Sequence, residues 1–218
     1  TDGATVTIVN DDFNNFPTDI TLSATSIAEN NALDAAIGTL TTTDADAGNT
    51  HTYALVSGAG DTDNASFTVD GSTLKTNNIS FNFEDKASYS VRIETNDGEG
   101  GTFAKAFEIT VTNVNEAPTA LSLSNLSLAE NSGINAEVGS LSTTDPDDGD
   151  SFTYSLVSGA GDTDNSGFDI SNGKLVSKNS LDFETKSSYS VRVKTTDGGG
   201  LSTTSSFTIT VTDVNETP

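Results

Sequence analysis

The chain contains an internal duplication, and this feature limits the folds that it can adopt. Residues 53–64 return with a single change as residues 154–165, and the offset between the two copies is 101 residues there and 100 residues further on. Self-similarity at a fixed period indicates repeated structural units. We therefore predict two tandem domains, 17–117 and 118–218, and we assign 1–16 to the end of a preceding repeat and its linker.

Each repeat alternates apolar and polar residues in short runs that are separated by Gly, Asn and Asp. In the first repeat these runs lie near 19–27, 36–43, 50–57, 65–70, 72–77, 88–95 and 103–112. Alternation with a period of two predicts strands, and the clusters between the runs predict turns. About 100 residues in seven strands are typical of a sandwich. The predicted fold is all-β, with two tandem seven-stranded Greek-key β-sandwiches of the immunoglobulin-like kind.

The apolar positions of these runs predict the core. In the first repeat we expect it to consist of Leu22, Leu40, Tyr53, Leu55, Phe67, Val69, Leu74, Phe83, Tyr89, Val91, Ile93, Phe107, Ile109 and Val111.

The chain is strongly acidic, with 32 Asp and Glu against 9 Lys and Arg and a net charge of -23. Such a charge argues against nucleic acid and anionic membrane surfaces as partners. A solvated surface and a set of cation ligands both explain the excess, and the positions of the acids decide between them. The chain has no Cys. Small extracellular domains often need disulfides or a metal, so a metal is the candidate stabiliser here.

The acidic and amide residues that the repeats share fall at strand ends and turns. They are Glu29 and Glu130, Asp44, Asp46, Asp145 and Asp147, Asn82, Glu84, Asp182 and Glu184, Asp97 and Asp197, and the linker residues Asn113, Asn115, Glu116 and Asp213. Val114 and Ala117 of the linker would add main-chain carbonyls. Calcium takes six to eight oxygen ligands from carboxylates, amides and main-chain carbonyls, whereas magnesium prefers small octahedral sites that retain water. Zinc lacks its usual ligands, because the only candidate is His51. The pattern therefore predicts Ca²⁺.

The order of these motifs resembles the cadherin family. Cadherin repeats carry a Glu near the first strand, a D-x-D pair, an L-D-R-E motif, a later lone Asp and a D-x-N-D-N-x-P linker. Here the corresponding segments are Leu181-Asp182-Phe183-Glu184 and Asn113-Val114-Asn115-Glu116-Ala117-Pro118, and the linker is one residue shorter before its proline. The amino-acid sequences of residues 110–119 and of the loop at 60–64 are more similar to those of cadherin-like repeats of large bacterial surface adhesins than to those of animal cadherins.

The resemblance implies one complete junction within the chain. It would combine the first repeat's Glu29, Asn82, Glu84 and linker 113–117 with Asp145, Asp147 and Asp197 of the second. A partial site is expected where Asn10, Asp11, Asp12 and Asn14 meet Asp44, Asp46 and Asp97. The remaining acids, Glu130, Asp182, Glu184 and Asp213, would serve a following repeat.

The resemblance also implies an extracellular, secreted or cell-surface protein. Calcium would make the junction rigid and would mediate adhesion to other cadherin-like repeats, homophilic or heterophilic. We expect the chain to be a segment of a longer protein, without direct membrane insertion.

A polysaccharide-binding module that calcium only shapes is the alternative. The aromatic residues that do not repeat are the candidates for a sugar surface, although each also suits loop anchoring; they are Phe13, Phe16, Phe81, Phe103 and Phe152. The loop at 60–64 suits either another cation or a structural turn held by Asx hydrogen bonds. We predict no enzymatic activity, because His51 aligns with Phe152 and no Ser has a visible base.

Overall fold

A computed structural model describes residues 13–216, so residues 1–12 and 217–218 lie outside the described part of the chain. The chain divides into two compact units, 1–114 and 115–218. Each unit has its own core and its own pair of sheets. No helix among the described residues is long and apolar enough to cross a membrane.

The first unit contains eight strands in two four-stranded sheets. The strands are β1 (Asp19–Leu22), β2 (Ser26–Ala28), β3 (Ala36–Thr43), β4 (Thr52–Leu55), β5 (Phe67–Asp70), β6 (Thr73–Thr76), β7 (Ser88–Asn96) and β8 (Thr102–Thr112). One sheet has the order β1-β3-β6-β5 and the other has the order β2-β8-β7-β4. Pairing is antiparallel except between β2 and β8, which run parallel.

The second unit repeats this architecture strand for strand. Its strands are β9 (Ala120–Leu123), β10 (Ser127–Ala129), β11 (Glu137–Thr144), β12 (Thr153–Leu156), β13 (Phe168–Ser171), β14 (Lys174–Ser177), β15 (Ser188–Thr196) and β16 (Ser202–Thr212). The sheets have the orders β13-β14-β11-β9 and β10-β16-β15-β12, and β10 runs parallel to β16. The predicted all-β fold with two tandem sandwiches is confirmed.

The prediction of a single first strand at 19–27 is wrong, because the chain leaves one sheet at Leu22 and joins the other at Ser26. Each unit therefore has eight strand segments where seven were expected. The crossing lies against an irregularity of β3 between Ala36 and Gly38. A Cβ at Gly38 would come within 2.9 Å of the backbone of Ala24. Glycine is thus required where the two backbone segments approach each other closely.

The core of the first unit contains every residue predicted for it, either buried or packed against the buried cluster. Ile20, Ile37 and Phe81 are buried as well. The expectation that Phe81 could serve a sugar surface is wrong, since its ring lies 4.3 Å from that of Tyr89 and 5.7 Å from that of Phe67. Phe103 also packs against this core.

Candidate metal centres

Three carboxylates meet in the turn that follows β11 in the second unit. Asp145, Asp147 and Asp150 each place one oxygen within 4.8 Å of the others. Asp147 is buried, and the Oδ2 atoms of Asp145 and Asp150 are buried without a hydrogen-bond partner among the described residues. Buried carboxylate oxygens are acceptors that normally need a donor or a cation. We refer to these three residues as the aspartate cluster.

The electrostatics of the aspartate cluster favour added positive charge. Burial raises the pKa of the Asp145 carboxyl, and the negative charges of Asp147, Asp150 and Asp197 raise it further, against the opposing effect of the Asp147 N–H. That N–H donates to Asp145 Oδ1 at 3.1 Å and leaves Oδ2 free. An all-oxygen set of this charge fits a hard divalent cation such as Ca²⁺.

The linker before the second unit is bound to the same turn region. The Glu116 N–H donates to Asp147 Oδ2 at 2.7 Å, and Asn115 Nδ2 donates to Asp197 Oδ2 at 3.1 Å. Asp197 also accepts the Leu201 N–H at 2.8 Å through its other oxygen. The structure thus brings together five of the predicted residues in this region: Asn115, Glu116, Asp145, Asp147 and Asp197. Ala117 lies in the adjoining chain outside the strands.

The turn that follows β3 in the first unit binds the preceding linker in the same way. The Asn15 N–H donates to Asp46 Oδ2 at 2.5 Å, and Asn14 Nδ2 donates to Asp97 Oδ2 at 3.0 Å. Burial acts to raise the pKa of Asp97, but hydrogen bonds from Asn14 and from backbone N–H groups outweigh it and the pKa is lowered. The predicted ligands Asp11 and Asp12, and Asn10, lie outside the described residues.

Asp44 in the first unit has a partner that its counterpart Asp145 lacks. Its Oδ2 lies 3.0 Å from His51 Nε2, and the residue in place of His51 in the second unit is Phe152. The N–H of Asp46 and the hydrogen bond to His51 lower the pKa of Asp44. The equivalent turns of the two units therefore differ in charge and in the availability of carboxylate oxygens.

A second carboxylate cluster lies where the chain leaves the second unit. Glu130, Glu184 and Asp213 each place one oxygen within 4.8 Å of the others. Glu130 is buried and accepts the N–H groups of Val214 at 2.8 Å and Phe183 at 2.9 Å, which lower its pKa. The Glu184 backbone lowers the pKa of its own carboxyl, but burial and the charges of neighbouring acids, among them Glu130 and Asp213, raise it overall.

The corresponding residues of the first unit use the same backbone contacts. Glu29 is buried and accepts the N–H groups of Val114 at 2.7 Å and Phe83 at 2.9 Å. Asn113 Nδ2 lies 3.5 Å from Glu84 Oε1. A buried glutamate therefore fixes the first residues of the linker to the sandwich that precedes it.

Asn82 and Asp182 accept hydrogen bonds from residues of their own turns. Asn82 Oδ1 accepts the N–H groups of Glu84 and Asp85 at 2.8 and 3.2 Å. Asp182 accepts the N–H and the hydroxyl of Thr185 at 3.0 and 2.8 Å, and these bonds lower its pKa. Both side chains thus cap a turn, and Asp182 is outside the three-carboxylate cluster of Glu130.

Sequence reasoning missed Asp150. It aligns with Asn49, so a search for acids shared by both repeats passed over it. The signal that could have found it was the acid-rich run 145–150, in which Asp, Pro and Gly mark one turn with four carboxylates.

The loop at 60–64 is held by structural hydrogen bonds. Asp61 accepts the Gly58 N–H at 2.9 Å, Asp63 accepts the Ser90 N–H at 2.8 Å, and Asn64 donates to Val56 O at 3.0 Å. Asp63 also pairs with Lys86 at 2.5 Å. These contacts account for the recurrence of the loop through folding alone.

Tandem sandwiches with carboxylates gathered beside their linkers define a class of repeat protein, and comparison with known proteins identifies its family. The family model described as Cadherin domain matches residues 124–212. The second unit therefore contains the matched cadherin domain, and the unit before it has the same topology.

Relatives in sequence include animal cadherins. Protocadherin Fat 4 of Mus musculus is 32% identical over 96% of this chain, and Cadherin-17 of Rattus norvegicus is 36% identical over 52% of it. The chain spans only 4% and 14% of the lengths of these relatives.

Solved structures of protocadherins share the fold. PcdhgB3 EC1-4 matches with a TM-score of 0.67 and 22% identity, over 92% of this chain and 50% of its own. Human Protocadherin-24 EC1-2 matches with a TM-score of 0.67 and 22% identity, over 89% of this chain and 99% of its own.

Proposed function

We propose that this repeat pair binds calcium through the acidic turns beside its linkers, and that bound calcium stiffens the linker between the repeats. The observation that carries the proposal is the pair of buried, unpartnered carboxylate oxygens on Asp145 and Asp150, beside the buried Asp147. Leaving such groups unpaired costs free energy that a bound cation would recover. The oxygen-only donors fit calcium better than zinc.

The linker supports the proposal through its contacts with each unit separately. Val114 donates its N–H to Glu29 in the first unit, and Asn115 donates its side-chain N–H to Asp197 in the second. These two residues are neighbours in the chain, so cations that bind both sets of carboxylates restrict the peptide between them. We propose the repeat bounds 17–117 and 118–218 and the twenty predicted ligand residues on this basis, with Asp150 as an addition.

We further propose that the pair belongs to an extracellular or cell-surface protein and takes part in adhesion to other cadherin-like repeats. The similarity to protocadherins supports this, and one similar structure is titled as a protocadherin gammaB7 EC3-6 cis-dimer. We propose no catalytic role. The bacterial type of repeat predicted from sequence has no support among the relatives named above, which come from animals.

The polysaccharide alternative gains no supporting observation from the fold. Phe81 is in the core, so its ring is not available to a sugar, and Phe103 is partly buried and packs against this core. Phe13 and Phe16 are exposed, but two exposed rings are common on protein surfaces.

Calcium titration of the chain by calorimetry tests the proposal. The double variant Asp145→Ala with Asp147→Ala removes two ligands of the aspartate cluster. Ligand charge tunes calcium affinity over several orders of magnitude, so we expect its Kd at this site to rise at least about 100-fold. The control variant Glu108→Ala with Asp169→Ala removes equal charge at exposed strand positions and should bind like the wild type. Unchanged stoichiometry and affinity in the first variant would contradict the assignment.

A further inference from the structure

We propose that Thr143, Tyr154 and Thr195 position Asp145 and Asp197 for cation binding; this inference rests on the proposed calcium function. We call these three residues the hydroxyl triad. Their hydroxyl groups form hydrogen bonds with one another. They are positioning residues, because they affect the carboxylates of Asp145 and Asp197 only through the strands that lead to these acids.

The hydroxyl triad joins the two sheets of the second unit. Thr143 lies on β11 in one sheet, whereas Tyr154 on β12 and Thr195 on β15 lie in the other. The Oγ1 atoms of Thr143 and Thr195 are 2.8 Å apart, and Thr143 Oγ1 donates to the Tyr154 hydroxyl at 3.2 Å. Thr195 is fully buried. Both hydrogen bonds are partly buried. A hydrogen bond shielded from water in this way is sensitive to the loss of either partner.

The strand period connects the hydroxyl triad to the acids. Alternate residues of a strand point to the same face. Asp145 follows Thr143 by two residues at the end of β11, and Asp197 follows Thr195 by two residues at the end of β15. The hydrogen bond between Thr143 and Thr195 therefore holds together the ends of two strands, one from each sheet, and these strand ends carry the two acids.

The same arrangement is present in the first unit. Thr42 Oγ1 lies 2.7 Å from Thr95 Oγ1 and donates to the Tyr53 hydroxyl at 2.9 Å. Tyr53 lies opposite Thr95 in the sheet, as Tyr154 lies opposite Thr195. Asp44 and Asp97 follow Thr42 and Thr95 by two residues. Each unit thus has one set of three hydrogen-bonded hydroxyl groups, and its two threonines each precede a candidate aspartate ligand by two residues.

The physical role follows from repulsion among the carboxylates. Without a cation, Asp145 and Asp197 carry like charges on the ends of different sheets, and separation of those ends would relieve the repulsion. The hydrogen bonds of the hydroxyl triad oppose that separation. They keep the acids close before the cation arrives, and such preorganisation increases affinity by reducing the ordering that binding must impose.

Valine is the matched replacement for threonine, because it keeps the shape and removes the hydroxyl. We expect Thr143→Val with Thr195→Val to weaken calcium binding at the aspartate cluster by about 3- to 10-fold, the net worth of about one hydrogen bond. Thr195→Ser keeps the hydroxyl and should bind nearly as the wild type does. Ser177→Ala is the structural control, since it removes a buried hydroxyl that donates to Gly133 O at 3.1 Å, away from the aspartate cluster.

Amide hydrogen exchange in chelator tests the positioning without any calcium. We expect faster exchange at the Asp147 and Asp197 N–H groups in the double valine variant and unchanged exchange at these groups in Ser177→Ala. Wild-type exchange and wild-type affinity in the double valine variant would overturn the inference. A wild-type chain that binds no calcium would overturn the proposed function instead, while the exchange rates would still decide the role of the hydroxyl triad.

Discussion

The pKa of an aspartate at the same position of the two repeats depends on its neighbours in the fold. Asp44 and Asp145 occupy equivalent turns, and each accepts a backbone N–H from the residue two positions on. The Asp46 N–H and the contact with His51 lower the pKa of Asp44, whereas burial and nearby acids raise the pKa of Asp145. We infer that the turn of the second unit has the greater demand for a cation.

The raised pKa of Asp145 predicts how stability depends on pH in chelator. A carboxyl with a raised folded-state pKa contributes stability below its ordinary pKa of 3.8, and that contribution is lost as the pH rises through the raised value. The Asp145→Asn side chain does not ionise, so the variant does not lose stability at this position as the pH rises. At pH 7 without calcium we expect the variant to be more stable than the wild type by about 0.2–1 kcal/mol, the usual range for screened charge interactions.

Urea denaturation at several pH values in chelator measures this difference. Asp169→Asn is the control, because it removes a charge at an exposed position of β13 in the same unit. With calcium added, the order should reverse and the wild type should become the more stable protein. A variant that is less stable than the wild type at pH 7 in chelator would contradict the interpretation of Asp145.

At the scale of secondary structure, each sandwich is shaped by a break in its first strand. In the second unit, β9 pairs with β11 in one sheet and β10 pairs with β16 in the other. The crossing between them passes Gly139, where β11 has a register shift. A Cβ on Gly139 would lie 2.8 Å from the Asn125 nitrogen. The contacting atom belongs to the backbone, so it cannot move away by a change of rotamer as a side-chain atom can.

Gly139→Ala is therefore expected to destabilise the second unit by about 1–3 kcal/mol through overpacking. Gly167→Ala is the matched control, because a Cβ there meets no atom within 4 Å and the change should stay within about 0.5 kcal/mol. Thermal or urea denaturation measures both. Equal stability of the two variants would show that the crossing has room for a side chain.

The sequence predicted the elements well where one physical signal dominates. Period-two alternation located the strands and the core, because one face of each strand must be buried. The break after Leu22 escaped prediction, since alternation continues through residues 23–25 and only the partner sheet changes. The backbone contacts of Glu29 and Glu130 were also beyond reach, because they join residues about 85 positions apart.

The candidate site was predicted in part for a similar reason. Matching the two repeats found the acids with shared positions, but it hid Asp150 and the pairing of His51 with Asp44, which occur in one repeat each. The family resemblance implies that Asn82 and Asp182 are ligands, which stays a prediction, but it gave no sign of their hydrogen bonds to N–H groups of their own turns. Self-comparison shows which residues differ between the copies, but it does not show which neighbours those residues contact in the fold.

At the scale of the whole molecule, the proposed role concerns the peptide between the repeats. The chain carries a net charge of -23, and its acids gather in clusters of three carboxylates. Divalent cations would neutralise these groups and restrain the linker, whereas chelation would leave them to repel one another.

Small-angle X-ray scattering of the chain in calcium and in chelator tests this central claim most directly. We expect calcium to narrow the distribution of arrangements of the two repeats and to change the distance distribution of the wild type. The variant Asp145→Ala with Asp147→Ala should give nearly the same profile in both conditions. Wild-type profiles that are identical with calcium and with chelator, at calcium concentrations where calorimetry shows binding, would contradict the account.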